Sequence, residues 1–181
     1  HVTGVQTCAL PILGANLELV KIYGAKVYGC GKDAARIPGL NVSLQDGQEF
    51  FFGQEKVKVI ACDGHTIGHI SFWFPNSRAL FVGDTIFSLG CGALFEGSAR
   101  EMWNSLERLR ALPEDTLVYC AHEYTLENAA YAITAEPENS RLKARVEEAK
   151  RQIASGCFTV PSSDRKSTRL NSSHVKRSRM P

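Results

Sequence analysis

Residues 70–83 read ISFWFPNSRALFVG, and no other stretch of the chain restricts its fold as strongly. Two short apolar runs, rich in aromatic and branched residues, flank the turn segment PNSR. Runs of this length and composition are strands. Two strands joined by so short a turn predict an antiparallel hairpin.

The flanking sequence extends this into a layered domain. Leu17, Leu19, Val20 and Ile22 fit a short helix, and residues 25–28 a short strand ending at Gly29. Residues 41–62 read as a meander, with a turn at Asp46 and Gly47 and alternation through Val57, Val59 and Ala61. After Gly83 and Asp84, residues 85–97, TIFSLGCGALFEG, read as loop. A helix then begins at Ser98, where Glu101 completes a capping box. Met102, Leu106 and Leu109 supply its apolar stripe, and Pro113 closes it. TLVYCA (116–121) is a further buried strand, followed by helices over LENAAYAITA and SRLKARVEEAKRQIA. Strands flanked by helices, with hairpins among them, predict an α/β layered domain with the start of a helical element behind it.

Three polar residues end predicted strands: His65 after VIACDG, Asp84 after ALFVG and His122 after TLVYCA. Strand ends are rigid mounts on a common rim, so groups distant in sequence can converge there. Imidazole and carboxylate are the donors that zinc and similar divalent ions accept. Cys62, Cys91 and Cys120 fit small buried residues, since no Cys-His nucleophilic pair accompanies them.

Composition narrows the remaining classes. At 181 residues the chain suffices for one domain with a sizeable core. No apolar run approaches the roughly 18 residues of a membrane span, and no export signal is expected. The six cysteines show no paired spacing, which fits a reducing, cytoplasmic setting. The net charge of +2 hides an asymmetry: residues 164–181 hold six Lys and Arg against one Asp, whereas residues 13–163 carry fifteen basic and eighteen acidic side chains.

Such a basic extension would ordinarily suggest a nucleic-acid or membrane arm, but its sequence points elsewhere. Residues 164–174, DRKSTRLNSSH, can be encoded by a DNA segment whose opposite strand encodes VTGVQTCALPI, residues 2–12 of the same chain. That segment resembles a synthetic sequencing adapter. Residues 1–12 and 164–181 are therefore expected to be adapter-derived, the tail disordered, and His1, Cys8 and His174 carry no functional expectation. Neither nucleic acid nor membrane is an expected partner.

GHTIGH (64–69), GDTIF (83–87), GCGALFEG (90–97) and AHEYT (121–125) occur in that order. Together they resemble the metallo-β-lactamase superfamily, and specifically its glyoxalase II (hydroxyacylglutathione hydrolase) branch, over about residues 13–163. GCGALFEG and HEYT are the specific parts; GHT and GDT mark only the superfamily. The resemblance implies an αβ/βα sandwich, incomplete at the N-terminus, over residues 13–124 and a partial helical domain over 125–163. It implies two divalent metal ions, zinc first with iron or manganese as alternatives. His65 would ligate one ion and His122 the other, with Asp84 bridging them, and these three form the expected catalytic centre. His69 is not a ligand in this pattern and takes a structural role.

Tyr124, Phe95 and Ala93 fall at positions that contact a glutathione thioester. Relatives carry a basic residue at position 93 and can carry a tyrosine at 95; core packing is an equal alternative for Phe95. Further ligands would come from an H-x-H-x-D-H type motif just upstream of LGAN (13–16), where QTCALPI (6–12) stands instead. This chain is thus expected to hold at most one metal weakly and to be inactive. The implied activity of the intact enzyme is hydrolysis of S-(2-hydroxyacyl)glutathione, such as S-lactoylglutathione, to glutathione and a 2-hydroxy acid in methylglyoxal detoxification. A cytoplasmic monomer is expected. Two alternatives stay open: an iron-dependent persulfide dioxygenase of the same superfamily, and a non-catalytic metal-binding fragment.

Overall fold

The computed structural model describes residues 15–163; the segments read above as adapter-derived, including the tail expected to be disordered, lie outside the described residues. Helix α1 (Asn16–Tyr23) ends at Gly24, whose left-handed φ of 60° lets its amide donate to the Val20 carbonyl. β1 (Val27–Cys30), a 3-10 helix (Gly31–Arg36) and β2 (Leu40–Leu44) follow. β1 and β2 pair in parallel as a separate two-stranded sheet. β3 (Glu49–Phe52) and β4 (Glu55–Ala61) form an antiparallel hairpin with Phe52 opposite Glu55.

The single meander expected over 41–62 therefore does not form, because β2 pairs with β1. Leu44 is fully buried in the same apolar cluster as Val57 and Val59, so β2 packs across the face of the larger sheet. The Asp46 carboxylate accepts from the Ala61 amide at 2.7 Å and from Arg108 at 2.6 Å, which fixes the turn against the end of β4.

β5 (Ile70–Phe74) and β6 (Ala79–Gly83) make the expected hairpin, with Phe72 opposite Phe81 and Trp73 opposite Leu80. The stretch expected to be loop contains a small hairpin of β7 (Ile86–Phe87) and β8 (Gly90–Cys91). Its tip residue, Leu89, has φ of 63° and is buried among Ala129, Ala132, Leu142 and Val146. A branched residue in that conformation costs about 1 kcal/mol, which the burial of its side chain, about 2 kcal/mol, offsets.

Next comes α2 (Ala99–Arg110), with the Ser98–Glu101 capping box formed in both directions. β9 (Leu117–Cys120), α3 (Thr125–Ala135), α4 (Ser140–Ala154) and β10 (Ser162–Ser163) complete the described chain. The six-stranded sheet has the order β10-β9-β6-β5-β4-β3. It is covered on both faces, which explains why β5 and β6 are almost continuously apolar. Leu80 and Val82 face Met102, Leu106 and Leu109 of α2, while Phe81 and Ala79 face the cluster containing Val57, Val59 and Phe72. No helix among the described residues is long and apolar enough to cross a membrane.

Candidate metal centre

Strand direction assembles the site. β4 is antiparallel to β5, β5 is antiparallel to β6, and β6 is parallel to β9. β4, β6 and β9 therefore run the same way, and the residues that follow them lie along one edge of the sheet. The Ala121 amide donates to the Gly83 carbonyl at 3.0 Å, placing the residues after β6 and β9 side by side.

His65, Asp84 and His122 meet there. The Asp84 carboxylate is buried, with Oδ2 at 3.6 Å from His65 Nε2 and Oδ1 at 3.4 Å from His122 Nε2. Both separations exceed a normal hydrogen bond. Asp84 Oδ1 has no hydrogen-bond partner. Burial raises the Asp84 carboxyl above its ordinary range, and the neighbouring His122 and His65 oppose the rise. His65 Nδ1 lies 2.8 Å from the Ala93 carbonyl oxygen. A carbonyl can only accept, so Nδ1 carries a proton and Nε2 is the nitrogen turned toward Asp84.

His69 is fully buried and supports the centre from behind. Its Nε2 accepts from the Asp84 amide at 3.3 Å, and its Nδ1 is 3.2 Å from Thr85 Oγ1. Burial, followed by the charge of nearby His65, pushes its pKa down to about 4 and keeps the ring neutral. Gly92 is required by close approach: a Cβ there would lie 1.9 Å from the Asp84 carbonyl oxygen and 3.1 Å from His65 Nδ1. Of the three cysteines read as buried, only Cys62 is fully so. Its thiol lies 3.1 Å from Ser71 Oγ and is pushed up to about 11 by burial. Cys91 and Cys120 are half-buried, and the Cys120 thiol donates to the His122 carbonyl at 3.3 Å.

Aromatic rings flank the centre on both sides. Phe95 is 74% exposed with its ring 4.8 Å from that of His65, which overturns the core-packing alternative for this residue. Tyr124 stacks on His122 at 5.1 Å and 26°, and Phe87 meets Tyr124 edge-on at 5.3 Å. The Ala93 side chain is exposed, while its carbonyl holds His65. Sequence reading assigned no role to Thr85, Phe87 or Glu123. The Glu123 carboxylate accepts from Thr125 and from the amide and hydroxyl of Thr159, joining the end of the described chain to the rim. Burial alone would raise this carboxyl; those hydrogen bonds hold it below its ordinary range. Only long-range packing reveals these roles, and no local pattern marks them.

The donor set fits divalent cations. A buried carboxylate oxygen without a hydrogen bond, two imidazole nitrogens facing the carboxylate, and a backbone carbonyl orienting one ring make a donor set of the kind that divalent cations accept. Among the described residues no group of three or more His, Cys, Asp or Glu side chains is gathered to hold one ion. The arrangement is two imidazole-carboxylate pairs sharing Asp84.

Residues 12–122 match the model of the metallo-beta-lactamase superfamily, and residues 123–172 that of the hydroxyacylglutathione hydrolase C-terminus. The hydroxyacylglutathione hydrolase of Methylococcus capsulatus is 53% identical over 150 residues, covering 83% of this chain and 59% of that protein. That of Rhodospirillum rubrum is 49% identical over 148 residues, covering 82% and 58%. The chain thus spans less than two thirds of the length of these relatives. Among solved structures, ETHE1 from Myxococcus xanthus has a TM-score of 0.55 at 34% identity, over 61% of this chain and 48% of that one. TTHA1623, in a di-iron-bound form, has a TM-score of 0.52 at 29% identity, over 61% and 63%.

Proposed function

The chain belongs to the metallo-β-lactamase superfamily, in its hydroxyacylglutathione hydrolase (glyoxalase II) branch, and on that premise we propose that it derives from a metal-dependent hydrolase of glutathione thioesters. The observation that carries this reading is the buried Asp84 carboxylate, with one oxygen unpaired and an imidazole Nε2 facing each oxygen. His65 with Asp84 would hold one ion and His122 with Asp84 a second. Zinc suits these donors; the di-iron form of TTHA1623 keeps iron beside it, with manganese as a further alternative. When bound, such ions supply a Lewis acid for the carbonyl and hydroxide at neutral pH.

The chain's own groups supply orientation and binding. Ala93 fixes the tautomer of His65, and His69 with Thr85 holds the backbone that carries Asp84. Phe95 and Tyr124 present exposed rings on either side of the centre, suited to the arms of a thioester. Ala93 offers no cation to a substrate carboxylate, so the glutathione arm is held less firmly here than by a basic residue. His69, buried and kept neutral, is not placed to protonate a leaving group. A thioester suits such a site, because a thiol of pKa near 8.5 leaves as thiolate without a strong general acid.

We assign residues 13–124 to the metal-binding domain and 125–163 to part of a helical domain. QTCALPI stands where an H-x-H-x-D-H type ligand motif would precede LGAN. The chain as it stands then binds at most one ion weakly, and zinc-loaded chain releases no thiol from S-lactoylglutathione. Turnover that His65→Ala abolishes would show the chain to be active after all. The thioester reading is checked on the protein encoded by the uninterrupted source gene, which hydrolyses S-lactoylglutathione without consuming oxygen. Oxygen consumption with a glutathione persulfide would favour the dioxygenase alternative instead.

A further inference from the structure

Arg36, on the 3-10 helix Gly31–Arg36, joins three segments that are distant in sequence. Its Nε donates to Asp33 Oδ1 at 3.0 Å, and Nη2 bonds the same oxygen. Nη1 bonds Glu96 Oε1, while Nη2 donates to Glu96 Oε2 at 3.2 Å and to the Ile67 carbonyl at 3.0 Å. Glu96 Oε2 in turn accepts the Ile67 amide at 2.8 Å. The loop of residues 92–97 is thereby fastened to the turn of residues 64–69.

The fastening continues as a ladder toward the candidate centre. The Phe95 amide donates to the His65 carbonyl at 3.0 Å, the Gly97 amide to the Gly64 carbonyl at 3.2 Å, and His65 Nδ1 to the Ala93 carbonyl at 2.8 Å. Ala93 and Phe95 are both exposed, so burial contributes little to holding this strip. Asp33, by contrast, is 2% exposed and lies against Gly68, which anchors the guanidinium from the interior side. A pair about one-third exposed, as Arg36 and Glu96 are, adds little to global stability. Its bidentate geometry nevertheless fixes orientation, and its effect is local.

We infer that Arg36 is a positioning residue for the candidate centre: through Glu96 it holds the 93–95 strip whose backbone sets the tautomer and ring plane of His65. The consequence for ion binding rests on the proposed function; the effect on His65 itself does not. The test is the imidazole nitrogen spectrum of the metal-free full chain at pH 8, with amide exchange measured alongside. In the unchanged chain His65 carries its proton on Nδ1. In Arg36→Met the two His65 nitrogen shifts move toward each other as the tautomers mix, and the Ile67 and Phe95 amides exchange about tenfold faster. His69, bonded to Thr85 and Asp84, does not move. Arg36→Lys, which keeps the charge but lacks the fork, gives an intermediate shift.

An unchanged His65 tautomer in a folded Arg36→Met chain overturns the inference. Should that variant not fold, Glu96→Gln is held to the same criterion, with the same meaning attached to an unmoved tautomer. Adding Zn2+ to the protein encoded by the uninterrupted source gene then tests the metal reading separately. A shift of His65 Nε2 supports that reading, and no shift sinks it without touching the role of Arg36.

Discussion

The two imidazoles that face Asp84 are held by different forces. His65 is 7% exposed and donates from Nδ1 to a backbone carbonyl. The His122 side chain is 32% exposed and lies against the rings of Tyr124 and Phe87. A hydrogen bond decides which nitrogen carries the proton, whereas stacking fixes only the plane of the ring. One half of the centre is preorganised by backbone, and the other by aromatic packing at an open rim.

The largest expected effect comes from breaking the His65 half. Gly92→Ala forces a Cβ into the Asp84 carbonyl, a backbone atom with nowhere to retreat. We expect a loss of about 3 kcal/mol in urea unfolding. The corresponding break on the other half, Tyr124→Ala, removes one stacked ring and costs about 1 kcal/mol. Equal losses in the two variants would erase the distinction between the halves.

A smaller effect of opposite sign sharpens what lies between them. Asp84→Asn removes a buried charge with one unsatisfied oxygen and presents an amide N–H to a neighbouring Nε2. The metal-free chain should gain about 1 kcal/mol and lose its affinity for Zn2+, the usual opposition between stability and function. A drop in stability would mean that Asp84 already makes a favourable ion pair with the two histidines.

The smallest effect is kinetic. At pH 8 the Cys62 thiol, pushed up to about 11 by burial, stays protonated and resists alkylation, while exposed Cys157 reacts at once. Half-buried Cys120, raised by burial and bonded to the His122 carbonyl, should react at an intermediate rate that Tyr124→Ala increases. Rapid labelling of Cys62 in the folded chain would show that the core beneath the His65 half opens readily.

The elements were largely legible in the sequence because each rests on local chemistry. The 70–83 hairpin follows from two apolar runs around PNSR, and α2 from its capping box and the spacing of Met102, Leu106 and Leu109. The pairing of β2 was not legible. Alternation tells which face a side chain takes, and the partner strand is chosen by packing, here by Leu44 entering the cluster with Val57 and Val59.

The same division runs through the site. Sequence by itself supplied His65, Asp84 and His122 as polar residues ending strands, and the motifs that tie the chain to its family. Only the tertiary structure decided that β4, β6 and β9 run in one direction, so that those residues share an edge. It also decided that a carbonyl from residue 93, and not its side chain, orients His65. The physical reason is that residue type and spacing are local, while strand direction, close approach and backbone hydrogen bonding arise from contacts between segments that the sequence keeps apart.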